Sequence, residues 1–562
     1  MINRSPTFKQ IPLNVVGSSR FGRYPKLSIE KTYNLFQSDN GMVPYAGYKK
    51  AIDASAFNGA TTGRALYHSN KLGRMIGVFG NSVYLINLSF NQLFLNFDNV
   101  QVIKIGELMT SEGVVYIAEN NKPQIAFSDN ISIYIYDPLL SPQFQTITTD
   151  FVPGYISFHN TYFLCAATQD QNYTPPATNV WRLSDSNDGT MWPSDAQHVG
   201  LLQTKPDVTQ AVIRVPSNGN MVYVMGKTVT EPWYDTGLQL FPYQRNASLN
   251  YDYGCINPAT IAATDEMVVW LAQNEKSGPI IVYTTGNQLE KITTDGIDFL
   301  FSELSAPQDS QAFIYRQDGH LFYHINFYTD NLSLFYDFNT KKFYHACDEN
   351  LNYFIANQVA FFGNQYYFTT KNDGNLYGFD TTFTTYDGKE IPRIRTCETI
   401  RLPNQEYFIA NDVGFVIETG ETDYQQQDLG PISLITENGL NIETEGDFIN
   451  LLTEDGDFIS TEDGEDLVSE QIDPDSTEFL ISEQNGNTGF GPLSLPRVDL
   501  AISIDGGASF SSYMPYNLNP IGKRRNKLMW WQLGAANEIT CQFKFWGLGR
   551  YVCLDGVLNL RQ

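Results

Sequence analysis

The chain has 562 residues, of which 14% are aromatic and 17% are charged, and its formal net charge is −26. This length suits two or three domains, and the acidic balance excludes a protein that wraps nucleic acid by neutralising its phosphates. No apolar run approaches the length of a membrane span, and the first residues lack the apolar core of a secretory signal. We therefore expect a protein that folds in a cytoplasm and does not insert into a membrane.

Residues 1–62 are rich in glycine and proline and show no long strand pattern. Such a composition is typical of irregular structure. We predict an extended N-terminal lead-in that packs on other elements or on a neighbouring subunit.

The stretch from Ala312 to Cys347 shows the dominant pattern of the chain. Its four short apolar runs are separated by Asp318-Gly319, Asp330-Asn331 and Asn339-Thr340, and such pairs favour tight hairpins because they tolerate positive φ. One sheet of this size is not stable alone. Together with this one, similar strand–turn–strand cores form seven units, the others beginning near Met75, Val114, Tyr155, Met221, Met267 and Val359.

The seven units are about 40 to 50 residues apart, and this period with four strands per unit is typical of a β-propeller. We therefore predict an all-β fold with a propeller over residues 63–392. Seven blades are favoured and six remain open, and an array of β-sandwiches is the alternative architecture.

After Asp387 the period ends, and apolar alternation returns in Asp499–Ile504 and in Thr540–Trp546. Clean alternation indicates antiparallel strands with one buried face. We predict a C-terminal β-sandwich formed by residues 393–424 and 493–562. Residues 425–492 would be an insertion of acidic repeats, projecting and dispensable, because Glu418 to Glu483 contains 20 acidic residues and no Lys or Arg.

Four motifs with chemical associations have simpler explanations in this sequence. Ser503–Phe510 matches an Asp-box, which stabilises a turn and does not catalyse. Gly226-Lys227-Thr228 lacks the earlier glycine of a P-loop. Residues 522–527 form a basic cluster, which we interpret as an exposed turn or a docking patch for an acidic partner. The acidic repeats lack the ligand spacing of a calcium loop.

Histidines and cysteines do not suggest a metal site. On a strand, His320 and His324 would lie about 13 Å apart, which is too far for both to bind one zinc ion. His345 lies in the same repeat. The cysteines are scattered without a CxxC motif, so we expect buried free thiols at Cys165, Cys255, Cys347, Cys397, Cys541 and Cys553. The sequence thus predicts no catalytic, cofactor-binding or metal-binding residues.

Motifs spread along the chain resemble the packaged-DNA stabilisation proteins, or tail accessory factors, of short-tailed phages. In the lead-in they are Gly17, Ser18, Ser19, Asn34, Leu35, Pro44 and Gly47. In the middle they are the segments 63–67, 80–84, 182–200 and 222–237. Near the end they are Ser503, Asp505, Gly507, the basic residues of 523–527, Trp531, Leu533 and Gly534. The order of these motifs makes the resemblance specific, and it covers the chain except for about 425–492.

The resemblance implies a structural protein of the phage virion, assembled in the bacterial host cytoplasm. It implies a ring, six copies in the known cases, that lies below the portal, closes and extends the DNA channel, and retains packaged DNA. The implied partners are the portal or an adaptor ring, the tail fibre or spike, and the tail needle or plug, with no sequence-specific binding of nucleic acid.

Two other classes of function remain open. A propeller glycosidase would require convergent carboxylates in the mouth of the propeller. A receptor- or carbohydrate-binding module of the virion would require an exposed aromatic platform. We expect that the protein is not an enzyme.

Overall fold

The computed structural model describes residues 8–23, 29–39, 41–92, 95–216, 218–238, 240–286, 288–403, 406–419, 434–436, 441–442, 467–468, 497–518, 525–547 and 550–561. These residues form strands joined by turns, with one short α-helix, α1 (Asp295–Ser302), and two 3₁₀ turns, Ala54–Phe57 and Pro258–Thr260. The predicted all-β class is confirmed. None of the described helices has the length and apolar character that crossing a membrane requires.

The N-terminal lead-in contains short strands that pair with distant parts of the chain. They are β1 (Phe8–Leu13), β2 (Lys31–Tyr33), β3 (Leu35–Ser38), β4 (Gly41–Pro44) and β5 (Gly47–Ile52). This differs from the irregular lead-in predicted over residues 1–62. Each strand is too short to show a periodic pattern. Apart from the local β3–β4 hairpin, the partners of these strands lie hundreds of residues away, so local sequence carries little signal of them.

The propeller is a ring of seven sheets in the described part of the chain. Blades 1 to 3 comprise β6 (Gly63–Ser69), β7 (Arg74–Phe79), β8 (Ser82–Asn91) and β9 (Asn96–Glu107); β10 (Tyr116–Glu119), β11 (Ile125–Ser128), β12 (Ile133–Tyr136) and β13 (Phe144–Ile147); and β14 (Phe151–His159), β15 (Tyr162–Asp170), β16 (Val180–Leu183) and β17 (Val199–Leu201).

Blades 4 to 6 continue in chain order. They comprise β18 (Ala211–Arg214), β19 (Met221–Met225), β20 (Thr230–Asp235) and β21 (Tyr243–Arg245); β22 (Gly254–Cys255), β23 (Ala262–Ala263), β24 (Val268–Gln273), β25 (Ile280–Thr284) and β26 (Leu289–Lys291); and β27 (Ser310–Gln317), β28 (His320–Phe327), β29 (Leu332–Asp337) and β30 (Lys342–His345).

Blade 7 closes the ring with a strand from the lead-in. Its strands β31 (Ala356–Phe362), β32 (Gln365–Thr370) and β33 (Leu376–Asp380) are followed in the sheet by β5. Gly378 of β33 pairs with Lys49 of β5 in antiparallel register. The propeller therefore uses residues 47–52, upstream of the boundary at residue 63 that the sequence predicted.

The hairpins of blade 6 follow the turn residues that the sequence showed. Asp318 and Gly319 have positive φ (49° and 82°), as does Asn331 (49°). In the third turn the positive φ falls on Lys341 (56°) instead of on the predicted pair Asn339-Thr340. Turn residues that accept positive φ thus fix the register of the first two hairpins, as expected.

The C-terminal module packs two sheets across one hydrophobic core. The first sheet contains β1, β3 and β4 of the lead-in together with β38 (Phe408–Thr419), β44 (Arg525–Ala536), β46 (Tyr551–Cys553) and β47 (Gly556–Arg561). The second contains β36 (Arg393–Thr396), β37 (Ile400–Arg401), β42 (Arg497–Ser503), β43 (Met514–Asn517) and β45 (Glu538–Trp546). The short strands β34 (Thr385–Tyr386) and β35 (Lys389–Glu390) extend the sheet of blade 7 beyond β5, and the chain passes from them into this module.

One continuous sheet joins the propeller to the C-terminal module. The outer strand of blade 6, β30, pairs in parallel with β2 at His345 and Tyr33, and β2 pairs with β36 on its other side. Because backbone hydrogen bonds run through this sheet, the lead-in fixes the two modules to each other.

The guanidinium of Arg395 on β36 holds the lead-in against this sheet. It is fully buried and donates hydrogen bonds to the carbonyl oxygens of Val15 (2.8 Å) and Ser18 (3.1 Å), and it forms an ion pair with Glu30. A Cβ at Gly17 would lie 2.1 Å from Arg395 Nη2, so only glycine allows the backbone to pass this close.

The predicted insertion, residues 425–492, lies outside the described residues except for three short strands. These are β39 (Leu434–Thr436), β40 (Asn441–Ile442) and β41 (Leu467–Val468), and they pair with one another. The six cysteines are all buried and unpaired, as the sequence indicated.

Candidate functional site

A cleft of about 520 Å³ lies where the propeller, the lead-in and the C-terminal module meet. Its walls come from the β4–β5 turn, from the end of β27 and the residue after β33 in the propeller, and from β36, β38, β44 and β46 of the C-terminal module. The lining residues are Val43, Pro44, Tyr45, Gln317, Asp318, Thr381, Arg393, Glu418, Thr419, Arg525, Arg550, Tyr551 and Val552. A volume of this size is typical of small-ligand sites.

Gln317 fixes the lead-in wall of the cleft. Its Oε1 accepts a hydrogen bond from the amide of Ala46 (2.9 Å), and its Nε2 donates to the carbonyl of Pro44 (2.9 Å). Two opposed bonds to neighbouring backbone groups orient this turn, so the wall is rigid and positioned by the propeller.

Three arginines converge on the cleft. Arg393 is buried, and its guanidinium carbon lies 5.8 Å from the centre of the Tyr551 ring. Arg550 donates a hydrogen bond to Thr381 Oγ1 across the junction. Arg525 pairs with Glu418 at 3.5 Å, and both side chains are largely exposed. The lining therefore carries three positive side chains, which are these arginines, and two negative ones, which are Glu418 and Asp318.

Tyr551 brings an unsatisfied polar group to the same cleft. Its side chain is buried, and its hydroxyl has no hydrogen-bond partner among the residues that the structure describes. Burial raises the pKa of this phenol, and the nearby Arg393 opposes part of that rise. A buried hydroxyl without a partner is costly, and a ligand oxygen could satisfy it.

The axis of the propeller holds a smaller cavity of about 180 Å³. The innermost strands of blades 1, 2, 3, 6 and 7 and the turn at Pro258 line it with apolar residues, tyrosines and Gln358. Its lining in the described chain contains no Asp or Glu. A propeller glycosidase would need carboxylates at this position.

The three histidines of blade 6 are separated in the structure, and each contacts the lead-in. His320 lies 3.2 Å from Ser38 Oγ, His324 lies 3.5 Å from the Tyr45 hydroxyl, and His345 lies 2.7 Å from Ser19 Oγ. Within the described part of the chain, no group of three or more potential ligands could hold a metal ion. These histidines dock the lead-in onto the propeller.

We expect the stability of the protein to fall between pH 7 and pH 5. Burial lowers the pKa of His324 and of His345 to about 3, and it also lowers the pKa of His159. Because the unfolded chain binds protons below about pH 6.5 and the folded protein does not, acidification favours unfolding, by about 2 kcal/mol per fully buried histidine over this range. Urea denaturation at the two pH values measures the loss.

The matched variant for this experiment is His324→Gln. It should be less stable than the wild type at pH 7, but it should lose less stability than the wild type on going to pH 5. An unchanged pH dependence would show that His324 is not held neutral by its surroundings.

The other motifs take the structural roles that the sequence favoured. Asp505 of the Asp-box accepts hydrogen bonds from the Ser509 amide (3.0 Å) and the Ser503 hydroxyl (2.6 Å), which hold its pKa well below the usual range. The amide of Thr228 donates to Asp207 (2.6 Å), so the P-loop-like turn is already satisfied by a carboxylate. Half of the basic cluster, residues 522–524, lies outside the described residues, and the other half, residues 525–527, begins β44.

Sequence reasoning missed the cleft because its residues are scattered over the chain. The cleft combines residues from four different segments of the chain, namely Tyr45, Gln317, Arg393 and Tyr551. These segments come together only because the lead-in packs against both the propeller and the C-terminal module. Three lining residues carried a signal in the sequence: Pro44 among the motifs of the family resemblance, Asp318 in a predicted turn, and Arg525 in the basic cluster of residues 522–527. None of them indicated that these segments meet.

The fold defines an all-β protein built on a seven-bladed propeller and a C-terminal module. Residues 76–384, more than half of the chain, match the model of the family described as bacteriophage P22 Gp10, beta-propeller. The chain belongs to this family of phage structural proteins, and the resemblance found in the sequence is confirmed.

Other comparisons add little to this assignment. The solved structures similar to this chain include virginiamycin B lyase from Staphylococcus aureus, with 11% identity over 59% of this chain and 99% of that chain and a TM-score of 0.39. They also include the N-terminal domain of Nup159, with 9% identity over 61% of this chain and 96% of that chain and a TM-score of 0.37. These low scores support no inference about activity. No curated protein matches the chain.

Proposed function

We propose that the protein is a tail accessory factor that forms a ring below the phage portal, closes and extends the DNA channel, and retains the packaged genome. The ring is a hexamer that assembles in the host cytoplasm and remains in the virion. Its partners are the portal or an adaptor ring and the fibres, needle or plug of the tail. The observation that carries this proposal is the membership of the bacteriophage P22 Gp10 family.

The architecture supports a structural role. A subunit of a closed ring needs separate surfaces for its neighbours and for its axial partners. The propeller and the C-terminal module offer two such bodies, and the sheet through β2 connects them without a flexible linker among the described residues. The axial cavity of the propeller is too small for DNA, so a DNA channel would lie between subunits.

Electron microscopy of purified virions tests the proposed ring. A label fused to this protein should appear as six copies below the portal, and native mass spectrometry of the isolated tail should give the same stoichiometry. A label on the capsid, or at the distal tips of fibres, would contradict the proposed position.

We further propose that the protein is not an enzyme. The absence of Asp and Glu from the described lining of the axial cavity supports this proposal. Purified protein should not hydrolyse glycosides or phosphoesters above the buffer rate. Turnover that one carboxylate substitution abolishes would refute it.

We expect weak binding to DNA. The net charge is −26, and tight binding would need many Lys or Arg contacts to phosphate. In fluorescence anisotropy at physiological salt, a duplex should bind with a dissociation constant above about 1 μM. Submicromolar binding with a steep salt dependence would show a phosphate-binding surface that this reasoning excludes.

A further inference from the structure

We propose that the cleft between the propeller and the C-terminal module binds a carboxylate group carried on an apolar body. An acidic side chain in an extended segment of a partner protein and a small organic acid share this chemistry. The inference concerns a site that the proposed ring does not require, so the two proposals can fail separately.

The first support is the charge of the cleft in an acidic protein. The chain as a whole has a net charge of −26. Here the lining brings together Arg393, Arg525 and Arg550 against Asp318 and Glu418. A positive pocket in a negative surface attracts anions selectively, and arginine binds carboxylates with paired, charge-assisted hydrogen bonds.

The second support is the unsatisfied hydroxyl of Tyr551. The ring of Tyr551 lies in the wall of the cleft with its centre 5.8 Å from the guanidinium carbon of Arg393, and no described residue makes a hydrogen bond to its hydroxyl. Buried polar groups without partners are uncommon, and they mark positions where a water or a ligand completes the site. The oxygen of a bound carboxylate can accept a hydrogen bond from this hydroxyl while it faces the guanidinium.

The third support is the mixed character of the walls, which selects among anions. Val43, Pro44 and Val552 supply apolar surface next to the arginines. The acidic groups of Asp318 and Glu418 would repel a run of phosphates, whereas a single carboxylate can approach Arg550 and Tyr551 between them. A ligand with one carboxylate and an aliphatic body therefore fits better than a nucleic acid.

Isothermal titration calorimetry on the full-length protein tests the inference with two probes. The first is the capped peptide acetyl-Leu-Leu-Glu-Leu-Leu-amide, which carries one carboxylate, and the second is hexanoate. Both should bind. Binding of the peptide at least about tenfold tighter than hexanoate identifies an extended segment as the ligand, and equal affinities identify a free organic acid.

Matched variants assign the binding to the cleft. Arg550→Gln should weaken peptide binding about tenfold, and Tyr551→Phe should weaken it without changing the charge. Glu418→Gln should strengthen it, because it removes a repelling carboxylate and releases Arg525. Arg214→Gln changes the charge equally at an exposed position on β18 and should leave binding unchanged, and melting curves should show that all four variants fold.

Four results would overturn the inference. They are no detectable binding of either probe at millimolar concentration, equal binding of the matched peptide with Gln in place of Glu, an equal loss of affinity in Arg214→Gln, and stronger binding of inorganic phosphate than of both carboxylates.

Discussion

Replacement of Arg395 by alanine should lower the free energy of unfolding by about 3–5 kcal/mol. The guanidinium is fully buried and holds three stretches of the lead-in through Val15, Ser18 and Glu30. Its removal leaves the buried carboxylate of Glu30 with Arg20, at 2.7 Å, as its one remaining ion-pair partner among the described residues, and it takes a donor away from the carbonyls of Val15 and Ser18. Urea denaturation followed by tryptophan fluorescence measures the loss.

The control for this experiment is Arg401→Ala. Arg401 also pairs with a carboxylate, Glu538, at 2.6 Å, but its side chain is 46% exposed. An exposed ion pair is worth about 1 kcal/mol or less, so the two arginine variants should differ severalfold. Equal losses would show that Arg395 acts only as a surface charge and that the lead-in is held by other contacts.

Replacement of Tyr48 by alanine should destabilise the protein by about 3–5 kcal/mol, as other buried aromatic truncations do. Tyr48 lies on β5, the strand that closes blade 7, and only 3% of it is exposed. Its ring stacks on Tyr386 with centroids 4.4 Å apart and meets the edges of Phe354 and Phe368. The loss should therefore weaken the closure of the ring as well as the local core.

Lys50→Ala on the same strand provides the comparison. Lys50 makes a surface ion pair with Asp53, and its removal should cost less than about 1 kcal/mol. In addition, Tyr48→Ala should expose the residues around β33 to limited proteolysis, whereas Lys50→Ala should not. If both variants melt together with the wild type, β5 does not contribute to closing the propeller.

The blades could be predicted from the sequence because their information is local. In blade 6 the two apolar runs on either side of the predicted turn Asp330-Asn331 are found as the strands His320–Phe327 and Leu332–Asp337. Apolar alternation and turn residues a few positions apart fix these hairpins. Because similar hairpins recur along the chain, the sequence also predicted that the sheets are arranged as the blades of a propeller.

The paths of the lead-in strands could not be predicted, because their partners are set by tertiary contacts. The three residues of β2 contain no pattern that points to β30 and β36, yet they join the two modules. For the same reason the cleft was not foreseen. Arg393 and Tyr551 belong to strands whose sequence indicates only burial, and their proximity depends on tertiary packing.

The pairing of the lead-in also sets the order in which a newly made chain can reach its final form. The strands β1, β2, β4 and β5 leave the ribosome early, but their partners are made much later. These partners are β30 and β36 for β2, β33 and β34 for β5, and β46 and β47 for β4 and β1. Such contacts between distant residues form slowly, and until they form, the early strands keep unpaired edges that favour aggregation. Blades 1 to 6 can therefore form first, the ring can close once β31 to β33 have been made, and the C-terminal module is completed only after translation has passed β46 and β47.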